Sequence, residues 1–281
     1  MKTLTPFGVQ DYLPEEAKAR NELLQTIQTI FDNEGFQPIS TPAFEYYDKL
    51  KTAMGPALCD QCVRFFDPEG RLLVLRPDHT TPIARMVASR LSQSNLPLKW
   101  SYSDPIFRKS ASQGDTEIFQ SGVEIIGDSS PESDAEIIST CIQALQSVGL
   151  KNIGIDIGHT AFIDPLTDKQ KSALARKDWV EFGSIPERGG KELVTNIPEL
   201  DALASQLEKD GLSDFVSFNK GLIKDVDYYT GIFFDCYVEG YGQCIGSGGR
   251  YDQLISNFGL DAPAVGFALQ VNRIEEALRH A

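Results

Sequence analysis

Several short stretches combine side chains that could hold a small polar molecule. Arg76-Pro77-Asp78-His79-Thr80 sets a carboxylate and a hydroxyl two positions apart. Gln120 and Glu124 add an amide and a second carboxylate, and Tyr228-Tyr229 add two rings with polar tips. Carboxylates pair with an ammonium, and a buried Glu beside an N–H makes a charge-assisted hydrogen bond. Tyrosine offers an apolar face and a hydroxyl. Gly248-Gly249 would let backbone come close to a bound molecule. Taken singly, each stretch also has a plain structural reading. Residues 76–80 could be a turn into a helix, Gln120 and Glu124 solvated strand ends, and the glycines a hairpin.

The cysteines suggest less. Five of them lie at 59, 62, 141, 236 and 244. Cys59 and Cys62 make a C-x-x-C, and zinc would need two further ligands, which Cys236 and Cys244 could supply. That spacing matches no common zinc module, and Cys236 also fits an apolar strand face. No metal and no cofactor are expected.

These side chains need a scaffold, and the apolar pattern outlines one. Residues Pro14 to Glu34 read as a helix, with Pro14 suited to its first position and Gly35 to its left-handed exit. A short strand at 36–39 and Pro-bounded loops follow. Arg64–Phe66 and Leu72–Leu75 read as a hairpin across Asp67-Pro68-Glu69-Gly70. Pro82 opens a helix. Lys99–Arg108 and Glu117–Ile126 form a second strand pair. Ser130 caps a helix over 131–148, which Gly149 closes, and 151–157 is a strand. Residues 159–216 are charged, lack alternation and read as a small helical insert. Alternation returns from Asp227 to Val238. Gly242–Ile245 begins another strand, Gly246-Ser247-Gly248-Gly249 reads as a tight turn, and Val265–Leu269 is a strand feeding a last helix through Arg273. Strand pairs beside helices, without a strand–helix–strand rhythm, predict an α+β fold around a mainly antiparallel sheet.

The chain has 281 residues, is 41% hydrophobic and carries a net charge of −14. That length suits one large core with a small insert. The negative field opposes a face that wraps nucleic acid, which needs Lys and Arg. No apolar run approaches the roughly 20 residues of a membrane span. Residues 1–6 lack a basic segment followed by an apolar one, and the odd cysteine count suggests reduced thiols, so a cytoplasmic protein is expected.

The order of the stretches carries a resemblance. Leu75-Arg76-Pro77-Asp78-His79-Thr80 is similar to the Leu-Arg-Pro-Glu-Gly-Thr segment of histidyl-tRNA synthetases. Phe107-Arg108 and Phe119-Gln120-Ser121-Gly122-Val123-Glu124 resemble the class II motif 2 strands. Asp227-Tyr228-Tyr229 resembles their Gly-Leu-Asp-Tyr-Tyr element, and Gly248-Gly249-Arg250-Tyr251-Asp252 their Gly-Gly-Arg-Tyr-Asp turn. Gly266-Phe267-Ala268, ending at Arg273, resembles motif 3, and Thr5-Pro6-Phe7-Gly8 to Asp11 their N-terminal Gly-x-x-Asp. The likeness runs in order over nearly the whole chain. It implies a class II synthetase-like domain over 1–281, with the insert at about 159–216.

It also implies a histidine pocket. Asp78 and Thr80 would hold the α-amino group with help from Gln120. Glu124 would meet an imidazole nitrogen, Tyr228 and Tyr229 would pack on the ring, and Arg108 and Lys224 would complete the site.

Departures from the synthetases bear on catalysis. Their motif 2 loop grips ATP with a Gly-Arg-x-Arg pattern; here the stretch is Gly114-Asp115-Thr116-Glu117. At about 4 Å and an effective dielectric near 20, each reversal exchanges roughly 4 kcal/mol of attraction for repulsion. Lys224 stands where they have an arginine, and it lacks the planar fork. Ala268 and Gln270 replace motif 3 glycines. The sequence stops eight residues after Arg273, so no anticodon-binding domain is expected.

These departures resemble the regulatory subunits of ATP phosphoribosyltransferase. Tyr228-Tyr229-Thr230-Gly231-Ile232, Leu174-Ala175-Arg176-Lys177-Asp178 and Val123-Glu124-Ile125-Ile126-Gly127 look more like that family than like the enzymes. The resemblance implies a non-catalytic homodimer, paired near Thr41–Tyr47. Its expected partner is a short-form catalytic subunit in a hetero-oligomer, with histidine as effector and no tRNA or membrane partner. The alternative is a histidine-activating synthetase-like enzyme or a truncated synthetase core.

Overall fold

The computed structural model describes residues 5–91, 95–109, 114–224 and 228–280. In chain order the elements are α1 (Pro14–Asn33), β1 (Gln37–Pro38), β2 (Phe44–Tyr46), α2 (Tyr47–Gln61), β3 (Arg64–Phe66), β4 (Leu72–Leu75), α3 (Thr80–Arg90), β5 (Leu98–Phe107), β6 (Glu117–Ile126), α4 (Pro131–Ser147), β7 (Ile153–His159), α5 (Thr160–Ile163), α6 (Asp168–Ala175), α7 (Trp179–Phe182), β8 (Arg188–Gly189), α8 (Pro198–Lys209), β9 (Val216–Asn219), β10 (Ile232–Val238), β11 (Tyr241–Arg250), β12 (Ala264–Gln270) and α9 (Val271–His280).

The main sheet runs β1-β5-β6-β12-β11-β10-β7-β9-β8. Its pairs are antiparallel except β1–β5 and β7–β9. A small sheet, β2-β4-β3, stands beside it. This is the mixed α+β architecture expected from the strand pairs.

One face of the main sheet is dry. Leu23, Ile27 and Phe31 of α1, Ile137, Ile138 and Leu145 of α4, and Ile274 of α9 pack with Phe234, Phe267 and Val265 of the strands. The helices begin where local chemistry allows. Pro14 and the acidic Glu15 and Glu16 open α1, and Glu16 Oε2 accepts the Leu13 N–H at 2.9 Å. Ser130 Oγ accepts the Ser133 N–H at 3.3 Å to cap α4. Gly35 leaves α1 at φ +81°. The other face carries α3 and the functional hollow.

Three segments differ from the sequence reading. Tyr47–Gln61 is a helix, not a loop. It is bent where Gly55 adopts φ 73° ahead of Pro56, and that break hides its periodicity. Gly246–Gly249 is not a tight turn but the middle of β11. The glycines serve close packing: a Cβ on Gly248 would lie 2.4 Å from the Gly266 carbonyl oxygen. Within 159–216 the helices α5 to α8 are joined by the short strand β8, which with β9 extends the sheet edge. Leu200, Leu203 and Leu207 of α8 are fully buried in the same core as α4. Asp227, the first residue of the expected 227–238 strand, lies outside the described residues.

Candidate functional site

Strand register builds the site. Glu124 on β6 stands opposite Gly266 on β12, Gly266 opposite Gly249 on β11, and Gly249 opposite Phe233 on β10. Opposed residues share a sheet face, so two glycines in this row leave a hollow beside Glu124. A Cβ on Gly266 would sit 1.6 Å from Glu124 Oε2, and one on Gly249 would sit 2.6 Å from Tyr229 Cε1.

The hollow is a cavity of about 180 Å³. Asp78, Thr80, Arg108, Gln120, Glu124, Lys224, Tyr228 and Tyr229 all line it, so the structure brings together the whole set expected from the sequence. The volume suits one small metabolite, since pockets for drug-sized ligands begin near 300 Å³.

Glu124 is 1% exposed. It accepts from Thr80 Oγ1 at 3.0 Å and from the Tyr251 hydroxyl at 2.6 Å. Burial pushes its carboxyl up to about 8, against the pull of those two donors. Asp78 accepts from the Thr81 N–H at 3.2 Å and the Thr81 hydroxyl at 2.9 Å. Burial raises it too, and Arg108 opposes the rise. The cations are engaged elsewhere. Arg108 Nε donates to the Pro77 carbonyl at 2.7 Å, and Lys224 Nζ pairs with Asp235 on β10.

The ring wall is aromatic. Tyr228 and Tyr229 meet edge to face with centroids 5.2 Å apart, and Tyr228 meets Tyr251 at 6.1 Å. His79 stacks on Tyr102 at 4.2 Å, and its Nε2 lies 3.0 Å from the Asp104 carbonyl oxygen. Burial, with Arg76 nearby, drops His79 to about 3, so it is neutral at ordinary pH. Arg76 is structural: it donates to Thr41 and Pro105 carbonyls at 2.6 and 2.7 Å and fastens the small sheet to β5.

Sequence reasoning missed Tyr251, His79 and Tyr102 as pocket residues. Tyr251 stood inside the Gly-Gly-Arg-Tyr-Asp stretch, which was a usable signal. Behind it, Arg250 donates to buried Asp134 at 2.6 Å and 3.0 Å and so fixes the end of β11. Tyr102 carried no signal, because it reaches the site only through β5–β6 pairing.

Of the positions that depart from the synthetases, Lys224, Ala268 and Gln270 line this cavity, whereas Asp115 and Glu117 lie apart from it. Asp115 and Glu117 line a separate hollow of about 400 Å³ with Gly8, Tyr12, Arg20 and Asn272. Arg273 Nη1 donates to the Cys244 carbonyl at 2.6 Å. Among the described residues, no group of three or more His, Cys, Asp or Glu side chains is placed to hold a metal ion. Cys236 Sγ lies 3.2 Å from Cys141 Sγ inside the core. No helix of the described residues is long and apolar enough to cross a membrane.

The family model described as histidyl-tRNA synthetase matches residues 8–188 and 187–274. The chain is 35% identical to an ATP phosphoribosyltransferase regulatory subunit of Clostridium novyi, over 99% of this chain and 77% of that protein. A crystal structure from Bacillus halodurans, titled as an ATP phosphoribosyltransferase regulatory subunit/histidyl-tRNA synthetase, superposes with a TM-score of 0.89 at 31% identity, covering 99% of this chain and 84% of that one. A structure titled as a histidine–tRNA ligase subunit, from Alicyclobacillus acidocaldarius, gives 0.85 at 27% identity, with 99% and 97% covered.

Proposed function

The chain belongs to the family of ATP phosphoribosyltransferase regulatory subunits, with a histidyl-tRNA synthetase-like fold, and on that premise we propose that it binds free histidine without reacting it and tunes a partner catalytic subunit. The partner is a short-form ATP phosphoribosyltransferase, which this chain activates and through which histidine feeds back on the first step of its own synthesis.

One contrast carries this reading. The amino-acid side of the site is intact, with buried Glu124 and Asp78, the donors Thr80 and Tyr251, and the ring wall of Tyr228 and Tyr229. The nucleotide side is altered. Asp115 and Glu117 stand where arginines grip ATP, Gln270 replaces a glycine in the cavity wall, and Lys224 is tied to Asp235. In the bound state the α-ammonium faces Asp78 and Thr80 with Gln120 beside them. The imidazole meets Glu124 between the tyrosines, and the carboxylate is turned toward Lys224 and Arg108. An ammonium and an N–H are thereby met by carboxylates, and the ring by apolar faces.

Calorimetric titration of histidine, paired with a pyrophosphate–ATP exchange assay, tests the reading. Saturable histidine binding without exchange is the expected result. Histidine-dependent exchange would establish the chain as a histidine-activating enzyme instead.

A further inference from the structure

We propose that Glu124 and the imidazole of bound histidine hold a single proton between them, making a basic ring nitrogen the feature the pocket selects. This rests on the histidine-pocket reading above.

Among the described residues, no cation is paired with Glu124. It is 1% exposed, and it accepts from two neutral hydroxyls, Thr80 Oγ1 at 3.0 Å and Tyr251 at 2.6 Å. Lys224 pairs with Asp235, and Arg108 Nε is occupied by the Pro77 carbonyl. The other groups facing Glu124 come from every side of the hollow. Asp78 and His79 precede α3, Tyr102 lies on β5, and Tyr228, Tyr229 and Tyr251 flank β10 and β11. All four phenols are raised by burial and stay neutral, as does His79. Asp78 adds like charge. An ionised Glu124 would therefore be a buried charge close to a second carboxylate.

The proton count follows. The Glu124 carboxyl titrates at about 8 in the empty pocket, and a free imidazole at about 6.5. Between those values one proton sits on Glu124 before binding. After binding that proton bridges the carboxyl oxygen and the ring nitrogen, so none is gained or lost. Above about 8 the empty pocket has lost its proton, and binding must take one up. Below about 6.5 the free ring carries one too, and binding must release one. Affinity is then flat between these limits and falls about tenfold per pH unit on either side.

The test is calorimetry of histidine into the full chain, from about pH 5.5 to about pH 9.5, in paired buffers of different ionisation enthalpy. No net proton exchange near neutrality, uptake on the alkaline limb and release on the acid limb are expected. Release of one proton at neutral pH would overturn the proposal, because Glu124 would then be ionised against a neutral ring. Thiazolylalanine, whose ring nitrogen is far less basic, should bind without the acid limb. An acid limb that persists with it counts against the proposal.

Glu124→Gln should abolish the alkaline limb near pH 8, while any limb from Asp78 or the ligand's own ammonium remains. An unchanged limb in that variant overturns the assignment to Glu124. Tyr251→Phe, which removes one donor to the carboxylate, should move the alkaline limb upward; an unmoved limb likewise overturns it. Absence of histidine binding at every pH would remove the histidine-pocket reading and this inference with it, whereas binding with another proton count removes the inference alone.

Discussion

Glu124 receives its environment from residues distant in sequence: Thr80 from the start of α3, Tyr251 from the end of β11 and Gly266 from β12. Replacing it should act on recognition first. Glu124→Ala removes a charge-assisted bond of roughly 1.5–3 kcal/mol, so histidine affinity measured by calorimetry should fall by about tenfold or more. Activation of the catalytic partner should persist in the same variant. Stability should respond to pH in a definite direction. Glu124 titrates at about 8 when folded, against an ordinary 4.5. The folded state therefore holds a proton that the unfolded chain has released, and stability falls as pH rises through that window. Glu124→Gln should remove this loss, so its melting temperature should exceed the wild type's near pH 9 by more than it does near pH 5. Much of this cluster was legible in the sequence, because Asp78, Thr80, Gln120, Glu124, Tyr228 and Tyr229 fall in recognisable stretches. Tyr102 was not, since it depends on strand pairing that no local pattern encodes, nor was the Lys224–Asp235 pair, which joins a loop to β10.

At the level of elements, the glycines of β11 and β12 decide whether the site exists. Gly266→Ala places a methyl 1.6 Å from Glu124 Oε2 and 2.5 Å from the Val123 carbonyl oxygen on the neighbouring strand. Neither central strand can shift without disturbing its neighbours, so the variant should lose histidine binding and melt several degrees lower by circular dichroism. Gly149→Ala is the contrast. No atom lies within 4 Å of its Cβ position, and the cost there is confined to its φ of +94°. It should destabilise modestly and leave binding intact. The long amphipathic helices α1 and α4 and the β5–β6 pair were readable, because periodicity and caps agree there. The helix α2 was not, because Gly55-Pro56 interrupts its pattern, and Gly246–Gly249 read as a turn because close strand packing and turning both call for glycine.

For the molecule as a whole, the small sheet is the surface to watch. Phe44 is 53% exposed, Phe66 70% and Tyr46 42%, with the Phe44 and Phe65 rings 6.0 Å apart. Exposed apolar clusters of this kind mark association sites, and this one includes the Thr41–Tyr47 stretch through which a homodimer is proposed. Sedimentation should give a dimer for the wild type and a monomer for Phe44→Glu combined with Phe66→Glu. A wild-type monomer would count against that pairing. The net charge of −14 gives the molecule a long-range field that repels a nucleic-acid backbone. In the proposed function this chain governs a catalytic subunit and reports histidine to it. The most direct measurement is phosphoribosyl transfer to ATP by a short-form catalytic subunit, with and without this chain, across a histidine titration. The predicted result is strong activity only when both chains are present, and its loss as histidine saturates the complex. Equal activity with and without this chain, at every histidine concentration, would contradict it.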